Sequence, residues 1–371
     1  MVQRRETDST NQVVVVGAGV AGVLIARALA ERDLAVTVVD PAPPAAAQEP
    51  ARQGALYVKP AVDYSPETQF AHLAFLHAAD FYSRLQAQHP THAFWHQTGT
   101  LQLAWNERER KRQEKLIARN NYGPDFLRAV SAGTASKLSG IDLLQGGLWF
   151  PRGGHLLHSG LLCAALDHPR IRCVHARITG KPSRSTPDGR WSVGLDSGPT
   201  LYADAVALAL GASTADWFPE LPLGRIRGQI TRVSATEPPL KATISGGGYV
   251  LPPLNGAQCI GATFDRDCGD TAVRDDSHRQ NLDSLNNWLP EVGTRLHDSD
   301  IRDGWVGFRS TTPDHMPMAG HRDGLHLIAG LGGKGLAYAP LLAQEIANAI
   351  TGQPPTLDPS LQGRVSPARF L

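Results

Sequence analysis

The sequence predicts an α/β fold in which a Rossmann-type nucleotide-binding domain is interrupted by an antiparallel sheet. Three stretches carry that prediction. Residues 13–40 run strand, glycine turn, helix, strand; residues 224–263 are strand-rich; and residues 325–350 repeat the order of apolar strand, glycine turn and helix.

The first stretch reads VVVVGAGVAGVLIARALAERDLAVTVVD. Gly17, Gly19 and Gly22 form a G-x-G-x-x-G fingerprint, in which the glycines serve a tight turn, backbone approach to a pyrophosphate and helix-to-strand packing. Ala18, Val20 and Ala21 fill the turn, so their backbone lies at a helix N-terminus suited to phosphate. Asp40 closes the second strand roughly 20 residues on, where an acid accepts hydrogen bonds from a ribose. An acid there favours a free 2′-hydroxyl, hence FAD or NAD rather than NADP.

The 371 residues suffice for two interleaved domains. Hydrophobic residues at 42% and charged residues at 19% are ordinary for a soluble globular chain, and a net charge of +1 gives no global attraction to nucleic acid. Cys163, Cys173, Cys259 and Cys268 are scattered without metal-site spacing, so no metal and a reduced state are expected. The polar start and the lack of a long uncharged apolar run predict a cytoplasmic protein with no membrane contact.

After the second strand, residues 41–50 (PAPPAAAQEP) break regular structure and lead into ARQGALY at 51–57. Residues 70–85 have helical spacing, 95–105 alternate as a strand, and 107–119 (ERERKRQEKLIAR) form a charged helix. That helix reads as a solvated face laced by ion pairs or, more sharply, as a phosphate-binding surface. Residues 148–158 turn at their glycines before a helix at 159–166; 171–178 and 191–195 are strands around a hairpin signal at 181–190. Residues 203–211 read as a buried parallel strand meeting a cofactor edge, with Ala209 and Gly211 at that edge and Ile178 beside it. Residues 276–289 are helical and 300–309 return as a strand.

The second glycine turn is decisive for the cofactor. Leu331, Gly332, Gly333, Lys334, Gly335 and Leu336 lead from an apolar strand into a helix N-terminus. A flavin that has received hydride carries negative charge on its pyrimidine end, and helix N–H groups suit that charge. Lys334 adds a full positive charge.

With both turns assigned, RQGALY (52–57), GYVLPP (248–253), CIGATF (259–264), GFRSTTPDHMPMAG (307–320), GGKGLAYAP (332–340) and SPARF (366–370) together resemble the D-amino-acid-oxidase and glycine-oxidase superfamily. Within it they are most similar to the oxidoreductase domain of the MnmC family of tRNA 5-methylaminomethyl-2-thiouridine biosynthesis proteins. The resemblance implies the glycine-oxidase fold, FAD, and oxidation of the carboxymethylaminomethyl group of a tRNA wobble uridine to the aminomethyl form with release of glyoxylate. It also implies a methyltransferase domain on the amino-terminal side; with the first strand so early in this chain, methylation is expected to be done elsewhere, by a separate methyltransferase, or not at all.

The same resemblance assigns Arg309 to the substrate carboxylate, and a planar two-pronged donor suits that task. Tyr249 is read either as a pocket residue or as a sheet aromatic. Arg52, Gln53, Gly54 and Ala55 are expected on a loop against the flavin ring, and Lys334 is expected to steady reduced flavin or to attract charge during reoxidation. Gly307 stands where sarcosine-oxidase relatives carry the cysteine that attaches FAD, so non-covalent flavin is expected. The expected division is a discontinuous FAD-binding domain (11–85, 145–220, 305–371), a substrate domain (86–144, 221–304) and a flexible terminus (1–10). Alternatives are a small-molecule glycine or sarcosine oxidase, and a flavin-bearing subunit that binds tRNA or protein without turnover.

Overall fold

The computed structural model describes residues 12–42, 52–91, 93–184, 189–266 and 268–370. The expected flexible terminus and most of the loop at 41–50 lie outside the described residues.

A six-stranded sheet forms the nucleotide-binding layer, in the order Met318–Arg322, Leu325–Ala329, Ala205–Leu208, Gln12–Val16, Ala35–Asp40, Ile171–His175. The last five are parallel, and the first pairs antiparallel with its neighbour. Val13 to Val16 are all buried, because both faces of this sheet are covered. On one face the helix Val20–Ala30 buries Leu24, Ile25 and Leu29 against the helix Gly335–Thr351. Each such side chain contributes about 1.5–3 kcal/mol. A smaller core on the other face holds Val14, Val16, Trp191 and Phe218.

A nine-stranded, mainly antiparallel sheet stands apart from it in topology. Its backbone is the long pair Gly224–Ser234 and Ile301–Thr311, which puts Gly228 opposite Gly307 and Ile226 opposite Arg309. Residues 147–150 and the whole of 301–311 belong to this sheet. Arg227 is fully buried beside it, held by Asp265 at 2.9 Å and by the carbonyls of Asp270 and Ala272. The helix Asp275–Trp288 covers one face through Leu282, Leu285 and Trp288.

Several local expectations are adjusted by packing. ARQGALY is not only loop: Gln53–Leu56 is a strand in a three-stranded sheet, paired with Gly154–Leu157. The strand read at 95–105 divides into Trp95–His96 and Thr100–Leu103, which join different sheets. The break is at Gly99, whose φ is +74° and whose missing Cβ leaves room for the Trp149 ring. The helix at 70–85 extends to Pro66–Gln88, with Ser65 accepting from the Thr68 N–H and proline at its first position. The charged helix Glu107–Arg119 carries internal pairs of Arg110 with Glu107 and Glu114, and of Arg112 with a buried Glu109.

Candidate active site

The first glycine turn is shaped by backbone contacts that leave no space for side chains. The Gly17 N–H donates to the Val39 carbonyl at 2.8 Å, and the Ala209 N–H to the Val16 carbonyl at 2.8 Å. Gly17 has φ +101°, and a Cβ there would lie 2.4 Å from the Ala209 carbonyl oxygen; one on Gly22 would lie 1.8 Å from that of Gly17. Gly19 differs, since a Cβ there would meet nothing within 4 Å. Open space therefore faces the start of the Val20–Ala30 helix, which has neither a side-chain cap nor an acid in its first turn. Free amides and a positive dipole end fit a diphosphate.

Asp40 does more than the sequence suggests. One carboxylate oxygen accepts from the Ala18 N–H at 2.8 Å and the other from the Ala42 N–H at 2.7 Å. It thus locks the turn, and a carboxylate with about four lone-pair sites retains capacity for a ribose.

Between the two large sheets lies a cavity of about 500 Å³, and the strand Gln53–Leu56 forms part of its wall. Arg52, Gln53, Gly54 and Ala55 line it together with Tyr249, Arg309, Gly332, Gly333, Gly335, Leu336 and Val20, so residues far apart in sequence meet there. Gln53 ties this wall to the sheet: its amide donates to the Pro252 carbonyl at 2.8 Å and accepts from the Cys259 N–H at 3.1 Å. Ile178 and Gly211 line neither this cavity nor the one beside it. Ile178 instead bridges to Leu195, and Gly211 opens a short 3-10 turn with φ +58°; Ala209 packs against Gly22.

Arg309 lies flat over Gly228. A Cβ on Gly228 would fall 2.5–2.7 Å from three guanidinium atoms. Its Nη1 donates to the Thr263 carbonyl at 3.0 Å, and among the described residues the fork makes no other hydrogen bond and no ion pair. A half-buried guanidinium with donors to spare suits a planar carboxylate.

Tyr249 pairs with Gly261 across the strands, and burial raises its pKa, so its hydroxyl remains a donor. Trp305, Gly307 and Arg52 form a stack that the sequence does not announce. The Trp305 ring lies where a Gly307 Cβ would project, 2.1 Å away, and the Arg52 guanidinium sits 3.3 Å from the ring centroid. His158 also lines the cavity; burial, with Arg52 adding to it, pushes its pKa down to about 3. His158 Nδ1 and Ser245 Oγ are buried without a protein partner among the described residues, the condition a bound polar group would relieve.

Lys334 and Leu331 line a second cavity of about 750 Å³, which shares Gly332, Gly333 and Phe264 with the first. Burial lowers the pKa of Lys334, Tyr57 partly offsets this, and its ammonium lies 5.5 Å from the Tyr338 ring centroid. Gly330 and Gly332 take φ values of +67° and +56°, and the Gly332 N–H donates to the Ser310 carbonyl at 2.7 Å. The Gly335–Thr351 helix has no acid in its first turn, so its N-terminus presents positive potential. Taken with the first turn, these residues fit FAD.

Among the described residues there is no group of three or more metal-type ligands, and no helix is long and apolar enough to cross a membrane.

Comparison with known proteins agrees with that chemistry. The chain is 36% identical over 380 residues to the tRNA 5-methylaminomethyl-2-thiouridine biosynthesis bifunctional protein MnmC of Marinobacter nauticus, covering 98% of this chain and 59% of that protein. It is 34% identical to the MnmC of Hahella chejuensis, covering 97% and 60%. The chain therefore spans about three fifths of the length of these relatives. Glycine oxidase from Geobacillus kaustophilus superposes with a TM-score of 0.76 at 20% identity, covering 95% of this chain and 98% of that one. Iminodiacetate oxidase from Chelativorans sp. BNC1 gives 0.76 at 21%, covering 96% and 98%. These two establish the likeness of fold. The family described as FAD dependent oxidoreductase (DAO) matches residues 12–349, nearly the whole chain, and the chain belongs to that family.

Proposed function

We propose that the protein oxidises the carboxymethylaminomethyl group on a wobble uridine of tRNA to the aminomethyl form. The reacting unit is an N-substituted glycine. Its α-carbon loses hydride and its amine nitrogen a proton, giving an imine; water then adds across the C=N bond and releases glyoxylate and the primary amine. FAD, when bound, supplies the hydride acceptor. Arg309 grips the carboxylate and aims the α-carbon, and Tyr249 donates to the substrate from the same wall. Lys334 and the helix N-terminus at Gly335 oppose the negative charge that develops on the cofactor side. The fork of Arg309 in the cavity, which spends one donor on the Thr263 carbonyl and keeps the others to spare, is the observation that carries the reading.

The relatives named for this tRNA modification support the substrate. We assign a methyltransferase as the partner that takes the amine product, and the cytoplasm as the location. We also propose two functional units following the two large sheets, with the cofactor and substrate between them. A small-molecule glycine oxidase is the second reading, favoured by the near-neutral net charge of +1.

Anaerobic mixing separates them. Modified tRNA is expected to bleach the flavin and release one glyoxylate per flavin, with glycine and sarcosine far slower. Bleaching by the free amino acids alone would support the small-molecule reading and discard the tRNA one.

A further inference from the structure

We infer that the second cavity is a nucleotide subsite, in which Arg225, Arg266 and Phe264 hold a phosphate and base next to the target nucleoside in an RNA strand. The inference rests on the proposed function, and adds where the rest of the RNA is gripped.

Position comes first. The 750 Å³ cavity adjoins the 500 Å³ one, and Phe264 belongs to both walls. A polymer whose reacting group entered the first cavity would have its next unit beside the second.

Charge comes next. Arg225, Arg266 and Lys334 line the second cavity, and among the described residues no carboxylate does. Of the neighbouring acids that the structure describes, Asp265 is engaged by Arg227 at 2.9 Å and Asp314 by Arg369 at 2.8 Å, while Asp267 lies outside the described residues. Elsewhere in the same sheet region Arg232 and Arg274 each hold a carboxylate. The side chains of Arg225 and Arg266, both exposed, make no ion pair or hydrogen bond among the described residues. In a chain of net charge +1 this is a local concentration of positive charge. Such a patch attracts phosphate, whose contacts dominate nucleic-acid affinity.

The third feature is aromatic. Phe264 is 55% exposed, although large apolar side chains usually withdraw from water. The guanidinium groups of Arg266 and Arg309 each lie 5.7 Å from its ring centroid, and Arg225 lies 4.0 Å from that of Phe308. An open ring bordered by unneutralised arginines is the composition that stacks an unpaired base and holds its phosphate. A single amino-acid carboxylate is served by Arg309 alone and leaves Arg225 and Arg266 without an anionic partner among the described residues.

The test uses the FAD-loaded full chain and the doubly substituted Arg225→Gln/Arg266→Gln. Flavin reduction is followed anaerobically with tRNA carrying the modified wobble uridine and with the free 5-carboxymethylaminomethyluridine nucleoside. The double variant is expected to need at least about tenfold more tRNA for half-saturation. Its dependence of log affinity on log salt should fall by about one to two units, as for two lost phosphate contacts. Saturation by the nucleoside and the limiting rate should stay as in the parent, and Arg→Lys at both positions should restore most tRNA binding. Unchanged tRNA saturation overturns the subsite but leaves the function standing, because the parent still reacts with tRNA. Equal weakening toward tRNA and nucleoside also overturns it. A parent that no modified tRNA can reduce removes both.

Discussion

The Arg309 guanidinium rests on Gly228, so closely that a Cβ on Gly228 would stand 2.5 Å from Nη2. Gly228 is opposite Gly307 in the long strand pair, and the missing Cβ of Gly228 gives the guanidinium its level.

Gly228→Ala should therefore lift the guanidinium without unfolding the strand, because the contacted atoms are the end of a flexible side chain. We expect catalytic efficiency toward N-substituted glycines to fall roughly ten- to a hundredfold, with FAD content unchanged. Arg309→Ala should cost about 2–5 kcal/mol of transition-state binding, or roughly one and a half to three and a half orders of magnitude in kcat/KM. Arg309→Lys should recover part of that, since it keeps the charge and loses the fork. Full activity of Arg309→Ala in steady-state kinetics would show that the carboxylate is held elsewhere.

Gly19 and Gly22 should separate cofactor binding from folding. A Cβ at Gly22 would run into the Gly17 carbonyl, whereas one at Gly19 meets no protein atom within 4 Å. Gly22→Ala should lower the melting temperature of the apoprotein as well as its FAD content. Gly19→Ala should leave the apoprotein's melting temperature within about a degree but weaken FAD, because the methyl group takes the space of the diphosphate. Equal apoprotein melting temperatures for both variants would contradict this division.

FAD should leave the denatured chain without proteolysis. Gly307 offers no nucleophile, and the Trp305 ring occupies the space beside it. Acid precipitation followed by absorbance of the supernatant checks this; yellow colour held in the pellet would mean attachment at another residue.

Acid should destabilise the fold through two buried histidines. Burial pushes His158 and His155 down to about 3, with Arg52 adding to the first and His96 to the second. Unfolded, each takes up a proton near pH 6.5; folded, neither does so until about 3. Their stabilising effect is thus complete above pH 6.5 and is lost as pH falls toward 3, by up to about 1.4 kcal/mol per pH unit for each group. His158→Gln should flatten the dependence of urea stability on pH between 6.5 and 5. An unchanged slope in that variant would show that His158 is protonated in the folded protein.

What the sequence by itself determined is local. Strand, turn, helix and strand from Gln12 to Asp40 are contiguous, so the nucleotide turn was legible from glycine spacing and valine runs, as was the second turn at 330–335. Arg309, Tyr249 and Arg52–Ala55 are singled out by sequence alone, and they line one cavity. Only the tertiary structure decided what surrounds them. Gly228 lies 81 residues before Arg309, Trp305 meets Arg52 from another sheet, and Gln53 bonds to Cys259 across most of the chain. Nor could spacing show that Ile178 turns aside or that Lys334 lies in a different cavity from Tyr249. Periodicity reports which face of one element is apolar, because that depends on neighbours along the chain. Contacts between elements depend on strand register and on which side chains leave room for others, and those are settled only when the sheets pair and pack.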